Sequence, residues 1–232
     1  MKKSLMLSAT CLVLFAQLAF AAPADNQVVF SPDLKHVMAT KTSSHPTPTA
    51  EEDAGLSIIA GNFSRYPLAT YFSVWGNTIA QGGSNFPFQV WEAMPFTPTA
   101  NATVTKIEVS AGRQGGGTAG FELGLYADAN GVPGNLIQGT HISNLPQYGE
   151  CCAVAVANDP AGIPVTAGTQ YWVAVTTNSN DIDIYAWAFN STDMTASLAA
   201  EWCQGSSTYC GSNSGKWTAY QYVQLGFQVL GH

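Results

Sequence analysis

Few residues in this chain are equipped for chemistry, and they are scattered. The histidines are His36, His45, His141 and His232. A Ser-His-Asp or Cys-His mechanism needs an imidazole inside a folded domain beside a nucleophile, and only His141 stands in a strand-like stretch. It lies in Gly139-Thr140-His141-Ile142-Ser143, on the polar side of the strand period, with no G-x-S-x-G turn to supply a serine. Paired carboxylates are the second chemistry, because an acid and a base on neighbouring strands can hydrolyse a glycoside. Glu92, Glu108 and Glu122 fall on candidate strands, but the E-x-D-x-E spacing of glucanase jelly rolls is absent. All three are expected as solvent-facing strand residues, given the alternation around Glu108 and Glu122. No catalytic residue is expected.

Asp128-Ala129-Asn130-Gly131 offers two side-chain oxygens, as calcium loops do, and Asp181 and Asp183 could add to them if the fold brings them close. An Asx-type turn explains Asp128 and Asn130 without an ion. Calcium is the only cofactor considered; otherwise none is expected.

Aromatic side chains are the richer resource. Trp75, Trp91, Trp172, Trp187, Trp202 and Trp217 are joined in the C-terminal part by Tyr185, Tyr209, Tyr220 and Tyr222. An indole or phenol at a surface can stack on a sugar ring or anchor a protein partner. In Asp183-Ile184-Tyr185-Ala186-Trp187-Ala188-Phe189 a one-residue choice of register decides which set is buried. The three large rings are expected inward, because together they would form an unusually large exposed patch. Trp202, Tyr209 and Trp217, surrounded by Gly- and Ser-rich loop, are the candidate ligand-binding residues.

These groups must be positioned by strands. Phe121, Leu123 and Leu125 alternate with Glu122, Gly124 and Tyr126, the period of a strand with one buried face. The run stops at Asp128-Ala129-Asn130-Gly131 and Val132-Pro133-Gly134, two turn signals. Similar short runs recur from Leu56 to Leu230, including Val104–Ala111, Cys152–Ala157, Gln170–Thr176, Ile182–Phe189 and Trp217–Tyr222. They predict an all-β, antiparallel β-sandwich, jelly-roll-like, of roughly 8–11 strands. One short helix is expected around Asp193–Trp202. Buried positions are expected at Ile107, Val109, Phe121, Leu123, Leu125, Val154, Val156, Tyr171, Val173, Val175, Leu225 and Phe227. A turn followed by Thr169-Gln170-Tyr171 entering an apolar strand matches a tyrosine corner, so Tyr171 is given a structural role.

The order Phe96-Thr97-Pro98, Val104 to Val109, Leu125 to Gly134 and Val165 to Trp172 resembles a bacterial secreted β-sandwich module. It is similar to the choice-of-anchor domains, which in many exported proteins precede a C-terminal sorting tail. The resemblance spans roughly Glu92 to Phe189 and implies a fold and an exported setting; the family has no agreed activity to carry over. Nothing apolar and helical follows Leu230, so anchoring through such a tail is not expected.

Export is also written at the N-terminus. Met1-Lys2-Lys3, an apolar run from Leu5 to Phe20 and Ala19-Phe20-Ala21 form a signal peptide over residues 1–21. Residues 22–54, rich in Pro, Ser and Thr, are expected as a flexible leader, and residues 55–232 as one domain. The protein is expected to be secreted, extracellular or periplasmic, without a membrane span after processing. Without Lys2 and Lys3, six Lys and Arg face fifteen Asp and Glu, a net charge of −9. Nucleic acid and anionic lipid, which need clustered cations, are excluded as partners.

Of five cysteines, Cys11 lies in the signal. Cys203 and Cys210 close a short polar loop, so their pairing costs little chain entropy. Cys151 and Cys152 would then pair with each other, which needs a turn-like backbone. The alternative links each of them to one of Cys203 and Cys210. The expected function is a secreted, non-catalytic binding or surface-interaction module, for carbohydrate or another extracellular polymer or cell-surface component. The alternatives are a glycan-active hydrolase with an unrecognised carboxylate pair, or a structural extracellular protein without a small ligand.

Overall fold

The computed structural model describes residues 28–39, 43–44, 55–63, 75–83, 86–114, 119–145, 147–151, 154–181, 183–190 and 196–232. Their strands are β1 (Val28–Phe30), β2 (His36–Ala39), β3 (Ser43–Ser44), β4 (Ser57–Gly61), β5 (Trp75–Ala80) and β6 (Gln89–Phe96). There follow β7 (Ala102–Val109), β8 (Ala111–Arg113), β9 (Phe121–Asp128), β10 (Pro133–Ile142), β11 (Glu150–Cys151) and β12 (Ala155–Val165). The last are β13 (Tyr171–Thr176), β14 (Ile184–Ala188), β15 (Ala196–Gln204), β16 (Lys216–Val223) and β17 (Phe227–Gly231), with a four-residue helix α1 (Ser207–Cys210).

The strands form an all-β sandwich with two antiparallel sheets and no barrel. The larger sheet has eleven strands in the order β1-β2-β5-β6-β13-β9-β10, with β14 pairing β5 and carrying β8 on its other edge, and β15 pairing β6 and carrying β16 on its other edge. The smaller runs β12-β7-β17-β4. The chain crosses between them after β2, β4, β6, β7, β10, β12 and β16, so hydrophobic faces distant in sequence meet. Ile107, Val109, Phe227 and Val229 from the small sheet pack with Phe121, Leu123, Leu125, Val173, Val175 and Trp187 from the large one. Tyr185, Trp187 and Phe189 do point into this core. The indole of Trp187 donates to the Gly226 carbonyl at 2.8 Å, so its one polar atom is satisfied where no water reaches.

The turn chemistry explains the β9–β10 hairpin. Asn130 and Gly131 take φ of 60° and 85°, between an Ala129 N–H and a Val132 carbonyl 2.8 Å apart. Positive φ at two successive residues is what a tight hairpin demands, and Asn-Gly tolerates it. The second turn signal is overruled: Pro133 and Gly134 begin β10, with proline in the first strand position where its missing N–H matters least. At the other end of the sheet-building segment, the Thr166 N–H donates to the Tyr171 hydroxyl at 3.1 Å, and Tyr171 stacks on Phe96. That bond ties the entry of β13 to the preceding turn.

Several expectations are corrected. The strands outnumber the expected 8–11, because short pieces such as β1, β2 and β8 carry no alternation long enough to recognise. The expected leader is in part sheet: β1 pairs with β2, and β2 with β5 through His36 opposite Asn77. Residues 28–39 therefore belong to the folded body, which begins before residue 55. Of the helix expected around Asp193–Trp202, residues 193–195 lie outside the described residues, and the rest is β15, which pairs with both β6 and β16. Val154 and Val156 are only half-buried, whereas Ala155 and Ala157, opposite Val109 and Ile107, face the core. The other ten expected core residues are buried. Among the described residues no helix is long and apolar enough to cross a membrane.

Trp187→Ala removes the largest side chain shared by the two sheets and is expected to cost about 3–5 kcal/mol. Leu136→Ala, at a site 53% exposed, should change stability by no more than about 0.5 kcal/mol. Urea unfolding of both variants checks the pair.

Candidate functional site

The strand register brings three indoles into one row. Trp202 on β15 lies opposite Trp91 on β6 and, across its other edge, opposite Trp217 on β16. Directly opposed residues on adjacent strands share a face, so the rings must meet. Trp91 stacks on Trp202 with centroids 5.3 Å apart, and Trp217 lies 6.2 Å from Trp91 and 6.1 Å from Trp202. All three remain partly exposed. Trp91 is held from behind: its N–H donates to the Thr177 hydroxyl at 2.7 Å, which donates to Gln81, which also accepts from Gln89. The Trp202 N–H is itself buried and has no partner, so the row offers solvent ring surface rather than this donor.

The expected trio is therefore two-thirds assembled. Tyr209 is elsewhere: it stacks on Phe88 at 4.8 Å, beside the Cys203–Cys210 disulfide, and belongs to a small core with Phe86 and Val90. The missing member of the row is Trp91, hidden from sequence reasoning because cross-strand register is not a local property. The Cys203–Cys210 bond is present as expected, whereas Cys152, and with it the Cys151–Cys152 pairing, lies outside the described residues.

On the opposite face of β15 and β16, a cleft of about 290 Å³ is lined by Lys35, His36, Glu201, Thr218, Tyr220 and Tyr222, among others. Lys35 and Glu201 form an ion pair at 2.5 Å across its mouth. Beneath lies Glu92, 1% exposed and opposite Glu201 in the strand register. Burial, and then the charge of Glu201, raise the Glu92 carboxyl well above the usual glutamate range. A single-file chain of hydrogen bonds leads to it. Tyr222 lies 3.2 Å from His36 Nε2, and His36 Nδ1 3.0 Å from the Asn77 carbonyl oxygen. The Asn77 amide donates to the Tyr220 hydroxyl at 3.1 Å, which donates to Glu92 Oε2 at 2.6 Å. With the proton of His36 on Nδ1, every donor in the chain points toward Glu92. Burial, and then Glu92, push the Tyr220 phenol up as well, so it stays a donor.

The remaining carboxylates divide. Glu108 is buried and ion-paired with Lys106 at 2.8 Å, so neither it nor Glu92 is the solvent-facing residue expected. Glu122 is half-exposed, and His141 lies directly opposite it on β10, with Nδ1 2.8 Å from Glu122 Oε1. Asp128 has its oxygens engaged by the Trp172 indole at 2.8 Å, the Gln170 amide at 2.7 Å and the Gly131 N–H at 3.1 Å. Burial raises its carboxyl, but these donors outweigh it and hold the group below the usual aspartate range. Asp128 closes the β9–β10 hairpin, and Asn130 supplies its positive φ. Asp128 and Glu122 occupy opposite ends of β9, roughly 20 Å apart at 3.3 Å per residue. The structure places Asp181 at the Glu122 end, so it does not join Asp128 and Asn130. A second hollow of about 240 Å³, between Asn62, Met94, Phe96 and Gln224, is lined by no titratable side chain among the described residues.

The raised Glu92 carboxyl has a consequence for stability. In the unfolded chain a glutamate ionises near pH 4.3, approximately, while native Glu92 keeps its proton to higher pH. Over that interval the native state binds more protons than the unfolded state, so stability falls as pH rises through it. Glu92→Gln keeps an acceptor for Tyr220 and removes the ionisation. Its melting temperature should exceed that of the parent at pH 7–8 and converge with it near pH 4, read by thermal unfolding across pH. No family model matches the chain, and no detectable similarity to a curated protein or a solved structure was found.

Proposed function

We propose that this protein is an exported, non-catalytic binding module that engages carbohydrate in an extracellular polymer or at a cell surface. The observation that carries the reading is the partly exposed Trp91–Trp202–Trp217 row. Rings held by a sheet lose little entropy on binding, and their apolar faces match the C–H faces of pyranose rings. The Cys203–Cys210 disulfide supports an oxidising compartment, in keeping with the signal-like N-terminus. The acidic balance favours a neutral or cationic polymer over a polyanion.

A second reading, a glycoside hydrolase, is favoured by Glu92 and Glu201. One carboxyl is pushed toward the neutral acid, and the other is ion-paired with Lys35, the division of labour that acid and base require. It ranks behind binding because Glu92 is sealed beneath Tyr220 and does not line the cleft. A substrate would reach that acid only after the chain of hydrogen bonds opened.

A glycan array combined with a reducing-sugar release assay separates the readings. The expected outcome is binding without release, with Trp202→Ala and Trp217→Ala each weakening affinity about tenfold or more. Release abolished by Glu92→Gln and by Glu201→Gln establishes the hydrolase instead. Silence in both assays sinks both and leaves a structural protein without a small ligand.

A further inference from the structure

A different cluster sits where β9, β10 and the segment after β13 meet. Glu122, His141 and Asp181 each offer one ligand atom, and these atoms all lie within 4.8 Å of one another. His141 Nδ1 is 2.8 Å from Glu122 Oε1 and 3.8 Å from Asp181 Oδ1. An ordinary surface ion pair between His141 and Glu122 would explain the first distance and leave the second without a reason. Asp181 is not a surface residue: its exposure is 0%. Its Oδ2 accepts the Asn178 N–H at 2.6 Å, but Oδ1 faces the imidazole beyond hydrogen-bond reach and has no partner. Two further buried oxygens on the same stretch, Asp183 Oδ2 and the Tyr185 hydroxyl, are also unpartnered. Burial, and then the charges of Asp183 and Asp181, push that hydroxyl up, which places it in the field of both carboxylates. A carboxylate oxygen taken out of water without a partner is costly, and Asp181 Oδ1, aimed at the imidazole, calls for a compensating cation.

We propose that Glu122, His141 and Asp181 form a binding site for a divalent cation of the zinc class. Calcium and magnesium take oxygen ligands, whereas an imidazole nitrogen with carboxylates suits zinc and its first-row neighbours. Tetrahedral ligands 2.0–2.1 Å from a zinc ion stand about 3.3 Å from each other, and the 2.8 and 3.8 Å separations bracket that edge. The site opens on one side only, since the His141 side chain is 43% exposed and that of Asp181 0%. Water completes the shell from the open side. The ion pins the segment from Thr177 to Asp181 against β9 and β10, where Asn178 already donates to Glu122 at 3.0 Å.

The test uses the full chain with its Cys203–Cys210 bond intact, stripped with a chelator. It is titrated with zinc chloride and, separately, with calcium chloride, by calorimetry and thermal unfolding. Zinc should bind one site at these residues and raise the melting temperature by several degrees at saturating excess, with calcium inert. His141→Ala and Asp181→Asn should each weaken that binding at least tenfold. Asp181→Asn keeps an acceptor for the Asn178 N–H, so a folded variant remains for comparison. Cobalt in place of zinc should give a nitrogen–oxygen spectrum without thiolate charge transfer, which separates this site from one at the cysteines. No zinc-dependent shift, a shift unchanged in both variants, a thiolate spectrum, or a response to calcium alone would each overturn the proposal.

Discussion

The constraint on which the structure depends is the burial of β13 on both faces. All six residues of Tyr171–Thr176 are buried, between β6 on one edge and β9 on the other. Tyr171, Val173 and Val175 point into the core between the sheets, while Trp172 and Ala174 point the other way, into a second small cluster with Ala93 and Ala200. A slip of one residue would exchange these sets and drive Trp172 into a space shaped for valine. The register is therefore secured at its start by the Thr166–Tyr171 hydrogen bond and on its outer face by the Trp172–Asp128 bond. The outer cluster follows from this. It consists of Trp172 among Ala93, Ala174 and Ala200, with Tyr126, Leu198 and Trp217 packed against it, so Trp217 joins this cluster to the tryptophan row.

A second constraint is electrostatic. Glu92 occupies a core-side position of β6, where a leucine would pack at less cost. It is retained with a complete set of partners in series: Tyr220, Asn77, His36 and Tyr222. Each link fixes the rotamer of the next, and the set ties β6 to β16, β5 and β2, which are far apart in sequence. Such a network stabilises little by itself, but a low dielectric penalises every arrangement that leaves a member unpaired. It therefore selects one alignment of the edge strands over neighbouring ones. This explains why residues 28–39, which carry no strong hydrophobic period, are nonetheless held in the sheet.

How much of this was legible depends on whether the signal was local. The alternation of Phe121, Leu123 and Leu125 reports a buried face directly, and Tyr171 after a turn reports a corner within six residues. The Cys203–Cys210 loop is short enough for chain statistics alone to favour closure. Ala196 to Trp202 defeats the same reasoning, because Ala-Ser-Leu-Ala-Ala-Glu-Trp suits a helix and only pairing with β6 and β16 makes it a strand. Val154 and Val156 mislead because hydrophobicity favours valine, while the pairing of Ala155 with Val109 sets which parity is inside. The functional clusters are the least local. Trp91 meets Trp202, and Glu92 meets Tyr220, only through β15 and β16, and Asp181 reaches His141 across a strand and a turn. No window of residues contains those coincidences; the topology creates them.

The topology also places both clusters around one short segment. Val175 lies opposite Glu92, and the next residue, Thr176, lies opposite Glu122, so the two carboxylates flank the end of β13. Successive strand residues face opposite sides, which separates them: Glu92 is sealed in the core, where burial keeps it neutral, and Glu122 looks outward to His141. Immediately beyond, Thr177 receives the indole N–H of Trp91, and Asn178 donates to Glu122. The polar end of β13 thus supports the tryptophan row through one residue and the Glu122–His141–Asp181 cluster through the next.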